Sequence, residues 1–239
     1  MFSHLKPGGH WHPEHCYPRH KVALIIPYRN RTQHLRIFLH HMHQFLRRQE
    51  LDYRIYIIEQ VAHTSFNRGK LLNVGYEMAK RLHGHSCFVL HDVDLLPEND
   101  LNLYTCDQFP KHMSSCIDKM KYRLPYETIF GGVSAMLAEH FKHINGFSNI
   151  FWGWGGEDDD VSTRIRFSGL PIIHANCSVA RYTSLNHKQE QPNAKRFKLI
   201  RRTMFRIKKD GLNTLSYRVV DLVSTRLYTH VIVDLLQRK

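Results

Sequence analysis

An α/β fold with parallel strand pairing is what this sequence predicts, and three observations predict it. Short apolar runs alternate with segments of helical period, polar clusters stand where the apolar runs stop, and 239 residues are enough for one substantial core. The run VALIIP, Val22 to Pro27, is continuously apolar and halted by proline, as in a strand buried on both faces. Leu35, Phe38, Leu39, Met42, Phe45 and Leu46 then recur on one helical stripe, with His, Arg and Gln opposite. YRIYIIEQ (53–60) reads as a second strand and KLLNVGYEMAKRL (70–82) as a second helix. CFVLHDVDLLP (87–97) reads as a third strand that runs into acidic residues. Strands joined by helical crossovers pair in parallel, and such sheets collect ligands beyond the carboxyl ends of their strands. Three polar sets fall there: PYRNR (27–31), SFNRGK (65–70) and HDVD (91–94).

The second half is less regular. FGGVSAML (130–137) predicts a strand followed by a short helix, and PIIHAN (171–176) another strand. A basic helix is expected over 195–209, with Phe197, Ile200, Met204 and Ile207 as its buried stripe and its cations outside. Residues 1–20 read as a polar, Pro- and His-rich lead-in, a solvated tail whose histidines are too irregularly spaced to favour a metal site. The lead-in has no signal-peptide core, and no apolar run is long enough to span a bilayer. Residues 21–239 show no internal repeat or linker and are expected to form a single domain.

The formal net charge of +13 favours an anionic partner: a nucleic acid, a membrane surface or a small phosphorylated substrate. Charge does not choose among them. Five cysteines without CxxC spacing argue against structural zinc. Cys87 and Cys106 flank an acidic turn, and from the residues alone a bridge and a set of buried thiols both stay open.

Four stretches carry chemistry. Asp92 and Asp94 in HDVD would face one way on an extended backbone and offer hard oxygen ligands to Mg²⁺ or Mn²⁺ on a diphosphate, although a solvated turn is the commoner meaning of such a triplet. Arg29 and Arg31 can meet phosphate oxygens, and Phe66 with Arg68 repeats an aromatic face beside a cation. In FWGWGGEDDD (151–160), crowded carboxylates raise one another's affinity for protons, which makes Asp158 or Glu157 a candidate general base. The same acids suit a helix N-terminus. Gly153, Gly155 and Gly156 permit a hinge, and Trp152 and Trp154 offer flat apolar surface for a sugar ring.

IIPYRNR, FNRGKLLNVGY, DVDLLP, FGGVSA and FWGWGGEDDD, in this order, resemble the inverting β-1,4-galactosyltransferases of glycosyltransferase family 7 and their relatives, the invertebrate β-1,4-N-acetylgalactosaminyltransferases. The resemblance runs from about Cys16 to near the C-terminus. It implies a GT-A type nucleotide-sugar transferase fold, with a mixed central sheet flanked by helices, and a metal-dependent UDP-sugar hexosyltransferase acting on the 4-hydroxyl of a terminal N-acetylglucosamine of a glycan. Pro27, Arg29, Asn30, Arg31, Phe66, Asn67, Arg68, Val93, Ile129 and Trp154 fall on donor-side positions. Asp94 and His187 fall on metal ligands, and Asp158 on the base. Tyr126, Gly156, Glu157, Asp158, Asp159 and Arg196 fall on the acceptor side. The resemblance also implies a Cys87–Cys106 bridge, leaves Cys16 without its partner, and places such relatives in the Golgi lumen as type II membrane proteins whose anchor is absent from this chain.

Two departures bear on substrate and metal. Ile129 stands where galactosyltransferases carry a tyrosine, which favours UDP-GalNAc as donor, with UDP-galactose the alternative. Ser184 stands where a methionine is the third ligand, which weakens the soft contribution to Mn²⁺ and brings in Mg²⁺ as an alternative ion. A nucleic-acid module built on 195–209 is the rival from another class. That helix shows little aromatic interleaving, so no nucleic acid is expected as partner. A lectin-like binder without turnover is the third reading.

Overall fold

In chain order the strands and helices of the computed structural model are β1 (His10–Trp11), β2 (Lys21–Tyr28), α1 (Thr32–Arg48), β3 (Asp52–Gln60), α2 (Arg68–His83), β4 (Cys87–His91), β5 (Leu95–Pro97), β6 (Lys111–His112), β7 (Cys116–Ile117) and β8 (Val133–Leu137). There follow α3 (Ala138–His143), α4 (Glu157–Phe167), β9 (Ile173–His174), β10 (Arg181–Ser184), α5 (Arg196–Ile200), α6 (Thr203–Arg206), β11 (Arg218–Ser224) and β12 (Thr229–Asp234). The structure describes residues 4–62, 64–188 and 190–237, so Met1 to Ser3 of the lead-in and the last two residues of the chain lie outside it.

The central sheet is mixed and has nine strands, in the order β11-β12-β3-β2-β4-β8-β6-β9 with β1 beside β3. Strand β2 pairs in parallel with β3 and β4, whereas β8 runs antiparallel to β4. Side chains along a strand alternate between its two faces. On β2, Val22, Leu24 and Ile26 pack with Phe38, Met42 and Phe45 of α1, while Ala23 and Ile25 pack with Leu71, Val74 and Met78 of α2. Helices on both faces therefore explain why β2 reads as a continuous apolar run. Helix α2 begins with the Asn67 side chain accepting from Lys70 N at 2.9 Å and ends at Gly84, whose φ of 64° suits a residue without Cβ.

Several expectations need correction. The run 87–97 is two strands: β4 stops at His91, Asp92 to Asp94 form a turn, and β5 joins a separate sheet of order β5-β10-β7. The lead-in is not a solvated tail in its described part. Leu5 is buried, and β1 pairs antiparallel with β3, His10 bonding Asp52 at 3.0 Å. The 195–209 helix breaks into α5 and α6, and its expected stripe is partly inverted, with Phe197 61% and Met204 56% exposed. Polar anchors set that orientation: Thr203 Oγ1 and Arg206 Nη2 reach Asp160 Oδ1 at 2.6 and 2.7 Å, so these residues face inward. Cys87 and Cys106 are bridged, and so, unforeseen, are Cys116 and Cys177; Cys16 is exposed and free. The C-terminal hairpin of β11 and β12, which extends the sheet in parallel with β3, was likewise unforeseen. Among the described residues no helix is long and apolar enough to cross a membrane.

Candidate active site

Beyond the carboxyl ends of β2 and β4 lies a cavity of about 510 Å³. Its walls include Pro27, Arg29, Arg31, Phe66, Arg68, Val93, Asp94, Trp154, Glu157, Asp158, Ser184 and His187, twelve side chains from distant parts of the sequence. Arg29 stacks on Phe66, its guanidinium 5.1 Å from the ring centroid, and donates to Thr64 O at 2.7 Å. Arg31 donates to Lys188 O at 3.1 Å.

The two carboxylates of HDVD part company in the turn rather than facing one way. Asp92 accepts from Arg68 Nε at 2.7 Å, and Arg68 Nη1 also stands 3.7 Å from Glu157 Oε1. Burial by itself would push the Arg68 guanidinium down, but Asp92, Asp158 and Glu157 outweigh it and hold the cation firmly. Asp94 turns the other way, with Oδ2 3.1 Å from His187 Nε2 and 4.0 Å from Lys119 Nζ. Strand β10 makes that meeting happen: Ser184 pairs with Leu95, and Leu185 N donates to Asp94 O at 2.8 Å.

The donor set of Asp94 and His187 fits a divalent ion. His187 Nδ1 lies 2.9 Å from Lys188 O, and a carbonyl only accepts, so Nδ1 donates there and Nε2 is the ring nitrogen turned toward the Asp94 carboxylate. Asp94 Oδ2 and His187 Nε2 stand 3.1 Å apart. Ligands held about 2.1 Å from an octahedral ion and at right angles are separated by about 3 Å. Among the described residues no third His, Cys, Asp or Glu joins them. Ser184 lines the same wall and offers a hydroxyl oxygen.

The four acids of helix α4 have four different environments. The helix starts at Gly156, whose φ of 98° admits glycine readily. Glu157 is buried against Arg68, and burial and then Asp158 push its carboxyl well above the usual range; its Oε2 has no hydrogen-bond partner among the described residues. Asp158 borders the cavity and packs against the backbone of Gly131. Asp159 accepts from the Tyr126 hydroxyl at 3.0 Å. Asp160 is fully buried and holds Arg164 Nε at 2.6 Å as well as Thr203 and Arg206.

Some candidate residues lie outside the cavity lining. Asn67 is the buried cap of α2, and Asn30 is exposed in a left-handed turn with φ 49°. Tyr126 and Asp159 pair with each other beside it, and Gly156 supplies the helix start. Arg196 stacks on Trp154 at 5.2 Å, its Nη1 buried without a partner among the described residues. Ile129, half-buried, donates its backbone N–H to Tyr126 O and is not among the residues that line the cavity. Lys119, Met120 and Glu190 do line the wall and were not singled out. No motif marks them, because a 3₁₀ turn at Asp118–Met120 and a loop deliver them.

Comparisons with known proteins identify what the chain is similar to. Residues 1–107 match the model for the N-terminal region of glycosyl transferase group 7, and 111–188 match that for the N-terminal domain of galactosyltransferase. The chain is 47% identical over 234 residues to human β-1,4-galactosyltransferase 1, covering 97% of this chain and 59% of that protein. It is 46% identical over 236 residues to rat β-1,4-galactosyltransferase 6, covering 98% and 62%. The chain thus spans about three fifths of the curated relatives it matches. The catalytic domain of Drosophila β-1,4-galactosyltransferase 7, solved with xylobiose, superposes with a TM-score of 0.79 at 31% identity, covering 92% of this chain and 95% of that one. A mutant of the same Drosophila enzyme was solved with manganese, UDP-Gal and xylobiose.

Proposed function

We propose, from the premise that this chain belongs to the β-1,4-galactosyltransferases of glycosyl transferase group 7, that it transfers galactose from UDP-galactose to the 4-hydroxyl of a terminal N-acetylglucosamine, with inversion. The observation that carries this reading is the meeting of Asp94 and His187 at 3.1 Å in a cavity that also holds Arg29, Arg31, Arg68 and Asp158. The expectation of UDP-GalNAc gives way to UDP-galactose. The relatives are named galactosyltransferases, and one related structure holds UDP-Gal.

In this reading Asp158 accepts the proton of the acceptor hydroxyl as its oxygen bonds the anomeric carbon, and the carbon–oxygen bond to the diphosphate breaks on the opposite face. Arg29, Arg31 and Arg68 bind and orient the nucleotide and its phosphates, and Lys119 adds a cation beside Asp94. Asp94 and His187, with Ser184 adjacent, would hold Mn²⁺ or, alternatively, Mg²⁺, which would supply Lewis-acid stabilisation to the departing diphosphate. Tyr126, Asp159 and Glu157 flank Asp158 on the acceptor side; the unpaired oxygen of Glu157 and the unpaired Nη1 of Arg196 are polar groups that sugar hydroxyls would satisfy. The working compartment under this reading is the Golgi lumen, in keeping with two disulfides.

The experiment is side-by-side turnover of UDP-galactose and UDP-GalNAc with a simple N-acetylglucosaminide, with and without chelator. Chelator-sensitive transfer that favours UDP-galactose is expected. Preference for UDP-GalNAc overturns the donor assignment, and absence of transfer with either donor overturns the activity.

A further inference from the structure

The turn between β9 and β10 carries a pattern that the proposed transfer does not use. Asn176-Cys177-Ser178 is an Asn-x-Ser triplet whose middle residue is not proline, the signature of attachment of an N-linked glycan. All three residues are exposed, and none lines the cavity. Asn176 O accepts from Val179 N at 3.0 Å and from Ala180 N at 2.8 Å, which closes the turn, and Cys177 is bridged to Cys116. Within the turn Asn176 Oδ1 accepts from Ser178 N at 2.9 Å. That bond engages the oxygen of the carboxamide and leaves Nδ2, the atom that would carry a sugar, without a protein partner among the described residues.

One other triplet of this kind occurs in the chain, Asn30-Arg31-Thr32. Asn30 is exposed as well, but Arg29 and Arg31 on either side of it line the cavity, and Thr32 opens α1. Among the described residues the Asn30 carboxamide makes no bond like that of Asn176 to Ser178 N. A bulky glycan on Asn30 would stand beside the two arginines assigned to the nucleotide, whereas the turn at 176–178 carries no such conflict. We propose that Asn176, and not Asn30, bears an N-linked glycan. The inference rests on the luminal reading above, which takes the chain through a compartment where disulfides form. In the attachment step Asn176 Nδ2 bonds the anomeric carbon of the first sugar of a lipid diphosphate oligosaccharide. The bond from that carbon to the diphosphate oxygen breaks, the lipid diphosphate departs with the electron pair, and a membrane-bound oligosaccharide transferase takes up the proton that Nδ2 loses. The turn and the Cys116–Cys177 bridge keep all their bonds in this step, because Nδ2 takes part in none of them.

The test is expression of the chain in animal cells behind a secretory leader, with N-glycanase digestion and mass spectrometry of the folded, oxidised product. That digestion releases the glycan and turns the residue that bore it into Asp. Position 176 is expected to read as Asp after digestion, and the intact chain to lose the mass of one glycan. Ser178→Ala should abolish both signals and keep the wild-type melting temperature, because Asn176 is held by the main-chain N–H of residue 178. Ser178→Thr should preserve both signals. The leader delivers the chain to the lumen whatever its natural compartment, so an unmodified Asn176 in the secreted wild type overturns the proposal. A mass loss that persists in Ser178→Ala overturns it too, and a glycan on Asn30 overturns the choice between the two triplets. Should the chain with the leader be modified and the protein from its own cells not be, the luminal reading fails and the proposal falls with it.

Discussion

Replacing Gly131 by alanine should disable transfer while leaving the fold almost intact. A methyl at this position would overlap Asp158 Oδ2 and lie 3.0 Å from Asp158 Cγ, where carbon atoms ordinarily stay about 3.5 Å or more apart. One partner must retreat by about half an ångström at the carbon and by about 1 Å at the oxygen. The glycine backbone is poorly placed to do so. Its carbonyl accepts from His112 Nε2 at 3.1 Å and from Ser114 Oγ at 3.3 Å, and Ser114 Oγ in turn holds Val133 N at 2.8 Å. The displacement therefore falls on the carboxylate assigned as base, and a misplacement of about 1 Å costs on the order of a hundredfold in turnover. Stability should fall by only about 1–3 kcal/mol, as for other overpacked sites. Steady-state kinetics with saturating donor, paired with thermal melting, separates the two effects. Turnover within about threefold of wild type would refute the placement of Asp158, because the predicted hundredfold loss would be missing.

His187→Ala should weaken Mn²⁺ by about a hundredfold in a titration with UDP present, and Ser184→Met should shift preference from Mg²⁺ toward Mn²⁺ in the same assay by adding a soft ligand. Asp160→Asn removes one partner of a fully buried pair with Arg164 and should cost about 3–5 kcal/mol in denaturant unfolding; an unchanged midpoint would show that Arg164 finds another partner. Burial holds His43 and His85 down to about 4 and His91 to about 3, against an ordinary 6.5. The unfolded chain takes up protons below pH 6.5 and the folded one does not, so the contribution is complete above that pH and is lost as pH falls. The loss approaches about 1.4 kcal/mol per pH unit for each histidine, or about 4 for the three, between roughly pH 6 and 4. Flat melting temperatures from pH 7 to 5 would contradict these burials.

The first hundred residues were the most legible because their strands are sandwiched. Val22 to Ile26 must be apolar on both faces once α1 and α2 cover the sheet, and that leaves an unbroken run. The cavity was legible where its residues sit at strand ends, as Arg29, Arg31 and Asp94 do. Legibility failed where long-range partners decide. The Asp92 and Asp94 spacing suggested one shared ion, but Arg68 captures the first and His187 the second, and no local pattern encodes that choice. The stripe on 195–209 obeyed helical spacing and still faced partly outward, because Asp160, some forty residues earlier, anchors the polar side of the turn. Lys119 reaches the wall from a turn with no periodicity of its own.

The Cys116–Cys177 bridge joins two segments whose neighbours border the cavity: Asp118 accepts from Ser184 N at 3.0 Å, and Cys116 lies opposite Arg181 at the start of the strand that leads to His187. Material produced in a reducing cytosol would lack that covalent brace and keep only the strand pairing. Preparations of identical mass and purity would then differ in how firmly the ligand arm is held, so oxidation state should be assayed before any batch is judged inactive.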